Sequence, residues 1–170
     1  PPQKTQADVE TIRREQTPDN LLARGKAFEA VGDHGRAEQY FAMAIEAGAD
    51  EMQVMPLLVR ACVQDGRYRV AIEYCEAHLK KHPHDASTRF VLGTIYSAVG
   101  EPSAARDALE RVLDTHPNDP RAHYALAVVM RDGVGDRVGA DKHFREYLRL
   151  DPKGKHAEEA RASLLEEVPR

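Results

Sequence analysis

The chain has 170 residues, of which 42% are hydrophobic, 31% are charged and only 6% are aromatic. A chain of this length forms one domain or a short array of repeats, and its composition favours packed amphipathic helices over a sheet. The formal net charge of −4 argues against nucleic-acid binding, which needs a basic stripe, and the absence of a run of about 18 apolar residues argues against a membrane span.

The N-terminal residues 1–17 are predicted to form a helix or a linker. The segment 5–16 is strongly polar, and Val9 and Ile12 are its only large aliphatic residues. No signal peptide is visible in this part of the sequence. Two cysteines, Cys62 and Cys75, are too few for a disulfide framework, so we expect buried free thiols.

From residue 18 onward the sequence repeats with a period of 34 residues. The third copy reads Leu92-Gly93-x-x-Tyr96, then Ala105, Leu109 and Pro117. The same pattern of small, large apolar and turn residues recurs before and after it, with one extra residue in the fourth copy. We therefore predict four units of two antiparallel helices each, approximately 18–51, 52–85, 86–119 and 120–153, followed by a C-terminal capping helix and tail over 154–170. The capping helix is expected over 154–168, with its apolar side formed by Ala157, Ala160, Leu164, Leu165 and Val168.

The recurring positions have direct physical interpretations. Glycine between the two helices of a unit predicts a left-handed helix cap, and proline after the second helix ends that helix because it lacks an N–H. Asp85 and Asp119 are predicted to cap the helices that follow them. Small residues where the two helices meet allow close backbone approach. The turn glycines are Gly32, Gly66, Gly100 and Gly135, and the small residues at the contacts are Gly25, Gly93, Ala127, Ala37, Ala71, Ala105 and Ala140.

This pattern resembles the tetratricopeptide repeat, whose signature is W-x-x-L-G-x-x-Y, A-x-x-x-F and P. The resemblance implies an all-α fold, a right-handed α-solenoid of antiparallel helix hairpins. It also implies a non-enzymatic scaffold or adaptor that binds a partner peptide or helix in its concave groove. The position of the signature Trp is occupied by Leu21, Met55, Arg89 and His123.

The resemblance implies that the first helix of each unit lines the groove. The fifth position of each unit forms an apolar column, and an exposed apolar strip usually marks an interaction site. The alternative is that Phe90 and Tyr124 pack on neighbouring repeats. With basic residues beside the column, we expect an apolar-anchored ligand of acidic character. The predicted partner-binding residues are Leu22, Lys26, Pro56, Arg60, Phe90, Thr94, Tyr124, Val128 and Arg131.

Other constellations are discounted. His78 and His82 have a spacing that could hold a metal, but His78 occupies a core-directed position of its repeat, and a surface histidine near a helix C-terminus is the plainer interpretation. Residues 133–139, GVGDRVG, are interpreted as a loose turn containing the extra residue, because a phosphate-binding loop follows a strand. We expect no catalytic site, metal or cofactor.

Two alternatives to the adaptor remain. The array could self-associate as a structural component of an envelope, pilus or secretion assembly, or it could be the regulatory segment of a larger enzyme. The abundance of Ala and Arg favours a bacterial protein. The compartment stays open between the cytoplasm and the periplasm, including a membrane-anchored protein whose signal has been removed.

Overall fold

The structure is a computed structural model that describes residues 16–166. It forms two compact units, the first ending at Cys75 and the second beginning at Glu76. Residues 1–15, which make up most of the predicted N-terminal segment 1–17, lie outside the described range. Val168 of the predicted capping helix lies outside it as well.

The described residues contain helices and no strand, which confirms the predicted all-α fold class. In the first unit these are α1 (Pro18–Ala30), α2 (His34–Glu46), α3 (Glu51–Gln64) and the first part of α4 (Tyr68–Lys81). In the second unit they are α5 (Ala86–Ala98), α6 (Pro102–Thr115), α7 (Pro120–Val128), a π-helical turn (Val129–Val134), α8 (Arg137–Leu150) and α9 (Ala157–Ala162). None of the helices within residues 16–166 has both the length and the apolar content needed to cross a membrane.

The turn chemistry follows the sequence prediction. The four predicted turn glycines have φ values of 78°, 72°, 78° and 80°, a region that side chains with a Cβ avoid. Asp85 accepts hydrogen bonds from the backbone N–H groups of Ser87 and Thr88 and thereby caps α5. Asp119 caps α7 in the same way. The turn glycines and the capping aspartates therefore fix the backbone conformation at the turns within and between the hairpins.

Small residues bring the paired helices together as predicted. A Cβ at Gly25 would lie 2.6 Å from the ring of Phe41, and one at Gly93 would lie 2.9 Å from Cγ of Leu109. Phe41 and Leu109 are both fully buried. Each glycine therefore provides the space that a large core side chain of the facing helix fills.

The extra residue of the fourth repeat lies within a helix. Residues Val129–Val134 form a π-helical turn, and only Gly135 and Asp136 connect it to α8. The loose turn predicted for residues 133–139 is therefore wrong, because wider helical winding absorbs one residue without interrupting the helix. Gly133 is needed there, since a Cβ at this position would lie 2.5 Å from Cβ of Pro102.

Pro56 does not delay the start of its helix. The Asp50 side chain caps α3, which begins at Glu51, and Pro56 lies exposed within the helix. The first turn is therefore set by the aspartate cap.

The C-terminal helix is shorter than the predicted segment 154–168, because α9 ends at Ala162. Ala157 and Ala160 are buried, whereas Leu164 and Leu165 are half-buried beyond the helix. The fully buried Asp141 accepts a hydrogen bond of 2.8 Å from the backbone N–H of Leu165. This bond holds the chain after α9 against α8, where further helix would need the same backbone N–H.

Candidate functional site

A cavity of about 500 Å³ opens in the second unit between α5, α7 and the chain that follows α8. Leu109, Val129 and Tyr147 contribute from the buried core. The remaining lining comes from half-buried and exposed residues: Phe90, Thr94, Ser97, Pro120, Arg121, Tyr124, Ala125, Val128, Asp151, Lys155 and His156.

Helical spacing places four of the predicted binding residues in this cavity. Phe90 and Thr94 lie one turn apart on α5, and Tyr124 and Val128 lie one turn apart on α7. Because the two helices begin at aspartate caps one period apart, the same helical face is presented twice. Phe90, Tyr124 and Val128 are half-buried and Thr94 is exposed.

The ring of Tyr124 forms one wall of the cavity. It stacks on the imidazole of His156 with 4.0 Å between ring centroids, and it lies 5.3 Å from the ring of Tyr147. Its hydroxyl donates a hydrogen bond of 2.5 Å to Glu159. Burial, followed by this hydrogen bond, raises the pKa of Tyr124 to about 12. The phenol therefore stays protonated and held in place at neutral pH, while the residue lines the cavity.

Phe90 carries the second aromatic wall. The guanidinium carbon of Arg121 lies 5.2 Å from the centroid of this ring, within the range of a cation–π contact. Arg121 also pairs with Asp119 at 2.8 Å. Phe90 and Tyr124 thus combine both sequence interpretations, since each ring packs on the hydrophobic core of the unit and also lines open space.

Two charges of opposite sign complete the rim. Lys155 is exposed, and neither a hydrogen bond nor an ion pair engages its ammonium group among residues 16–166. Asp151 lines the same cavity. The cavity therefore has aromatic and aliphatic walls and a rim that offers one unpaired cation.

Arg131 lies outside the lining. Its guanidinium pairs with Asp132 at 2.7 Å and with Glu159 at 3.2 Å, and it donates to the hydroxyl of Ser163 at 2.6 Å. The hydrogen bond to Asp132 is the main cause of its raised pKa. Its charge is therefore used to hold α9.

The other four predicted binding residues belong to the first unit. Leu22 is half-buried, whereas Lys26 and Pro56 are exposed. Arg60 is exposed as well, but its guanidinium pairs with Glu29 at 2.7 Å, which raises its pKa. Of these four residues, Arg60 is therefore a cation whose charge is already paired within the protein.

Periodicity could not reveal the contribution of the C-terminal segment. Tyr147, Asp151, Lys155 and His156 line the cavity but lie in the last helix of the repeat pattern or after it. The backbone N–H of His156 donates to the Tyr147 hydroxyl at 3.0 Å, which places His156 beside Tyr124. The only sequence signal was the basic cluster Lys153-Gly154-Lys155-His156 directly after Pro152.

His78, His123 and His143 of the second unit lie within hydrogen-bonding distance of other polar groups. His78 is fully buried, so describing it as a surface histidine is wrong, and its Nε2 lies 3.0 Å from a carboxylate oxygen of Asp85. Nδ1 of His123 lies 2.9 Å from Nδ1 of His143. Burial, followed by the proximity of His123, lowers the pKa of His143. The His123–His143 pair supplies two imidazoles, fewer than the three or four protein ligands typical of zinc.

A buried polar cluster in the first unit is structural. Glu38 forms an ion pair with Arg67 and accepts a hydrogen bond of 3.1 Å from the Tyr74 hydroxyl. Burial, followed by the charge of Glu38, raises the pKa of the Cys62 thiol to about 12. A thiol in this environment is a poor nucleophile.

The helical hairpins, their glycine turns and their aspartate caps define an α-helical repeat protein. Family models described as tetratricopeptide repeat match residues 22–86 and 62–129, which together span more than half of the chain. The chain belongs to the tetratricopeptide repeat family.

Known proteins agree with this assignment. The chain is 28% identical over 131 residues to the protein CTR9 homolog of Arabidopsis thaliana, covering 74% of this chain and 12% of that protein. The crystal structure of YrrB, described as a TPR protein with an unusual peptide-binding site, has a TM-score of 0.73 at 18% identity and covers 87% of this chain and 76% of that one. MamA from Desulfovibrio magneticus has a TM-score of 0.71 at 20% identity, covering 84% and 80%.

The fold is that of a protein–protein interaction scaffold. Proteins built from these repeats are generally non-enzymatic interaction modules. What this particular chain binds follows from its own surface chemistry.

Proposed function

We propose that this protein is an adaptor whose second unit binds a partner segment by taking up one apolar side chain in the cavity beside Phe90 and Tyr124. The observation that carries the proposal is the pair of half-buried aromatic rings that line about 500 Å³ of open space. A cavity with mostly apolar walls and a few polar rim groups is the usual form of a binding site.

The free energy available from burying one side chain shows that the ligand must extend beyond the cavity. Full burial of one Leu or Phe side chain contributes about 1.5–3 kcal/mol, whereas micromolar affinity requires about 8 kcal/mol. One filled cavity is therefore an anchor, and the rest of the partner segment must contact the neighbouring surface. Thr94 and Ser97, which line the same cavity, provide hydroxyl groups for such contacts.

The rim favours an acidic neighbour of the anchor. The ammonium group of Lys155 is unpaired among the described residues, and Arg121 stands beside Phe90 with its charge partly offset by Asp119. A carboxylate near Lys155 would gain an ion pair, and rim charges mainly increase the association rate and the specificity. We infer an aromatic or large aliphatic residue followed or preceded by Asp or Glu.

In the first unit, we propose that Leu22, Lys26, Pro56 and Arg60 contact ligands of the same character. Lys26 provides an exposed cation there, and Pro56 provides an exposed apolar surface. The peptide-binding site for which YrrB is described supports a peptide as the ligand class.

A selection from a phage-displayed library of random peptides tests the proposal. We expect enrichment of peptides with an apolar anchor beside a carboxylate. Val128→Lys places a charged side chain in the cavity and should abolish their binding. Val91→Lys is the matched control, because Val91 is exposed on α5 outside the cavity.

The proposal fails if the selected peptides bind the Val128→Lys and wild-type proteins equally, or if nothing is enriched. Light scattering over a concentration series separates the rival function, because a self-associating array would increase in mass with concentration.

A further inference from the structure

A second cavity, of about 550 Å³, lies elsewhere in the second unit, between the end of α4 and helices α5 and α6. Its lining shares no residue with the cavity beside Tyr124. Three cationic side chains line it, and we call it the basic groove after them: Lys80, Arg89 and Arg111.

Arg89 occupies the position of the signature Trp. The corresponding residues of the first unit, Leu21 and Met55, are buried, whereas Arg89 is half-buried. One of its terminal nitrogens donates a hydrogen bond of 2.6 Å to the carbonyl oxygen of Pro83. One period later, Nε2 of His123 lies 2.9 Å from the carbonyl oxygen of Pro117. The position therefore directs a polar side chain toward the proline of the preceding turn.

The groove holds like charges close together. Burial lowers the pKa of Arg89, the positive charge of Arg111 lowers it further, and Asp85 opposes this shift. Arginine nevertheless remains charged at neutral pH. Within residues 16–166, neither Lys80 nor Arg89 nor Arg111 forms an ion pair with a carboxylate.

The carboxylates of the groove have partners of their own. Glu76 accepts a hydrogen bond of 2.5 Å from the Tyr96 hydroxyl. Asp107 lies 3.4 Å from the guanidinium of Arg106. Three cations thus face two carboxylates that are already engaged, which leaves the groove with an excess of positive charge.

We propose that the basic groove binds the carboxylate of an Asp or Glu side chain from a partner protein. A carboxylate has two oxygens and can accept hydrogen bonds from two guanidinium groups at once, which offsets their mutual repulsion. Leu79, Leu92 and Pro83 line the same groove and provide apolar contact for the neighbouring atoms of that partner. This surface is separate from the cavity proposed for the apolar anchor.

The test is an NMR titration of the full chain with an acetylated, amidated tetraglutamate peptide. The side-chain Nε–Hε resonances of Arg89 and Arg111 are followed at constant ionic strength. We expect saturable shifts in the wild-type protein and an affinity about tenfold lower in Arg111→Gln, the loss of one charge-assisted hydrogen bond.

Arg137→Gln is the matched control in the same unit. Arg137 is exposed on α8 and lines neither the basic groove nor the cavity beside Tyr124, so its loss should leave the titration unchanged. Inorganic phosphate forms a second arm. The proposal is overturned if sodium chloride gives the same shifts, if Arg111→Gln binds as the wild type does, or if only phosphate saturates the resonances. None of these outcomes bears on the cavity beside Tyr124.

Discussion

The hydroxyl of Tyr124 on α7 donates a hydrogen bond to Glu159 on α9, 35 residues further along the chain. The Tyr124 hydroxyl is also the main cause of the lowered pKa of Glu159. Together with the stacking of His156 on the Tyr124 ring, this bond makes the C-terminal segment part of the proposed binding cavity.

Tyr124→Phe keeps the ring and removes this hydrogen bond. We expect a loss of about 0.5–1.5 kcal/mol in the free energy of unfolding, toward the lower end because the side chain of Glu159 is 46% exposed. Urea denaturation measures the effect. Tyr68→Phe is the control, because Tyr68 is exposed and its hydroxyl has no hydrogen bond among the described residues. Equal stabilities of the two variants would contradict the role of the bond.

Gly93→Ala should destabilise the second unit. The added methyl group would lie 2.9 Å from Cγ of Leu109 and 3.4 Å from the carbonyl oxygen of Ala105, so the fully buried leucine must shift. Overpacking of this kind costs about 1–3 kcal/mol.

Gly35→Ala is the matched control in α2. The nearest atom to its added methyl group is 3.9 Å away, an ordinary contact. Because alanine lowers the conformational entropy of the unfolded chain, the free energy of unfolding of this variant should rise by about 0.4–1 kcal/mol. Thermal or urea unfolding of both variants checks the opposite signs, and a stabilised Gly93→Ala would refute the close helix contact.

The His123–His143 pair predicts a loss of stability on mild acidification. The pKa of His143 is lowered in the folded protein, mainly by burial, so below its ordinary value of 6.5 the unfolded chain binds more protons. Stability from this group is complete above pH 6.5 and is lost as pH falls through the folded-state pKa. The charged groups around His143 are Asp107, Glu110, Arg111, Asp114, Asp136, Lys142 and Glu146.

Urea unfolding at several pH values between about 7 and 5 tests this effect, which lies in the usual titration range of histidine. The His143→Gln variant should lose part of the pH dependence. His84→Gln should keep it, because His84 is exposed and forms no hydrogen bond or ring contact among residues 16–166. Identical pH profiles for wild type and His143→Gln would exclude the mechanism.

Both cysteines should resist thiol reagents in the native state. Cys62 and Cys75 are fully buried, and the pKa of Cys62 is raised to about 12, so very little thiolate is present at pH 8. We expect labelling by a thiol-specific chromogenic reagent only after denaturation. Ser103→Cys, at an exposed position, supplies a reactive thiol as a positive control. Rapid labelling of the native wild-type protein would show that the first unit opens at this place.

Local rules explain why much of the fold was predictable. The positive φ of Gly100 and the helix cap of Asp85 depend only on neighbouring residues, so the spacing of these residue types indicated the hairpins. The contact between Gly93 and Leu109 followed from the same spacing. The π-helical turn was missed, because one extra residue fits equally well in a loop or in a wider helical turn.

The site was predictable only in part. Phe90 and Tyr124 were found because they recur at the repeat period, whereas Lys155 and His156 follow the last repeat and have no earlier equivalent. The ion pairs of Arg131 were also missed, because Glu159 approaches only after α9 has packed. Such ion pairs depend on distances in the folded protein, which the repeat pattern of the sequence does not predict.

The most direct test of the central claim compares two quantities for Phe90→Ala. The first is the Kd of a peptide selected by the wild-type protein, and the second is the free energy of unfolding. We predict a Kd increase of about tenfold or more and a stability loss within about 1–2 kcal/mol. An unchanged Kd in the folded variant would show that Phe90 is not part of a ligand-binding surface, and unfolding of the variant would show that the ring serves mainly as a core residue.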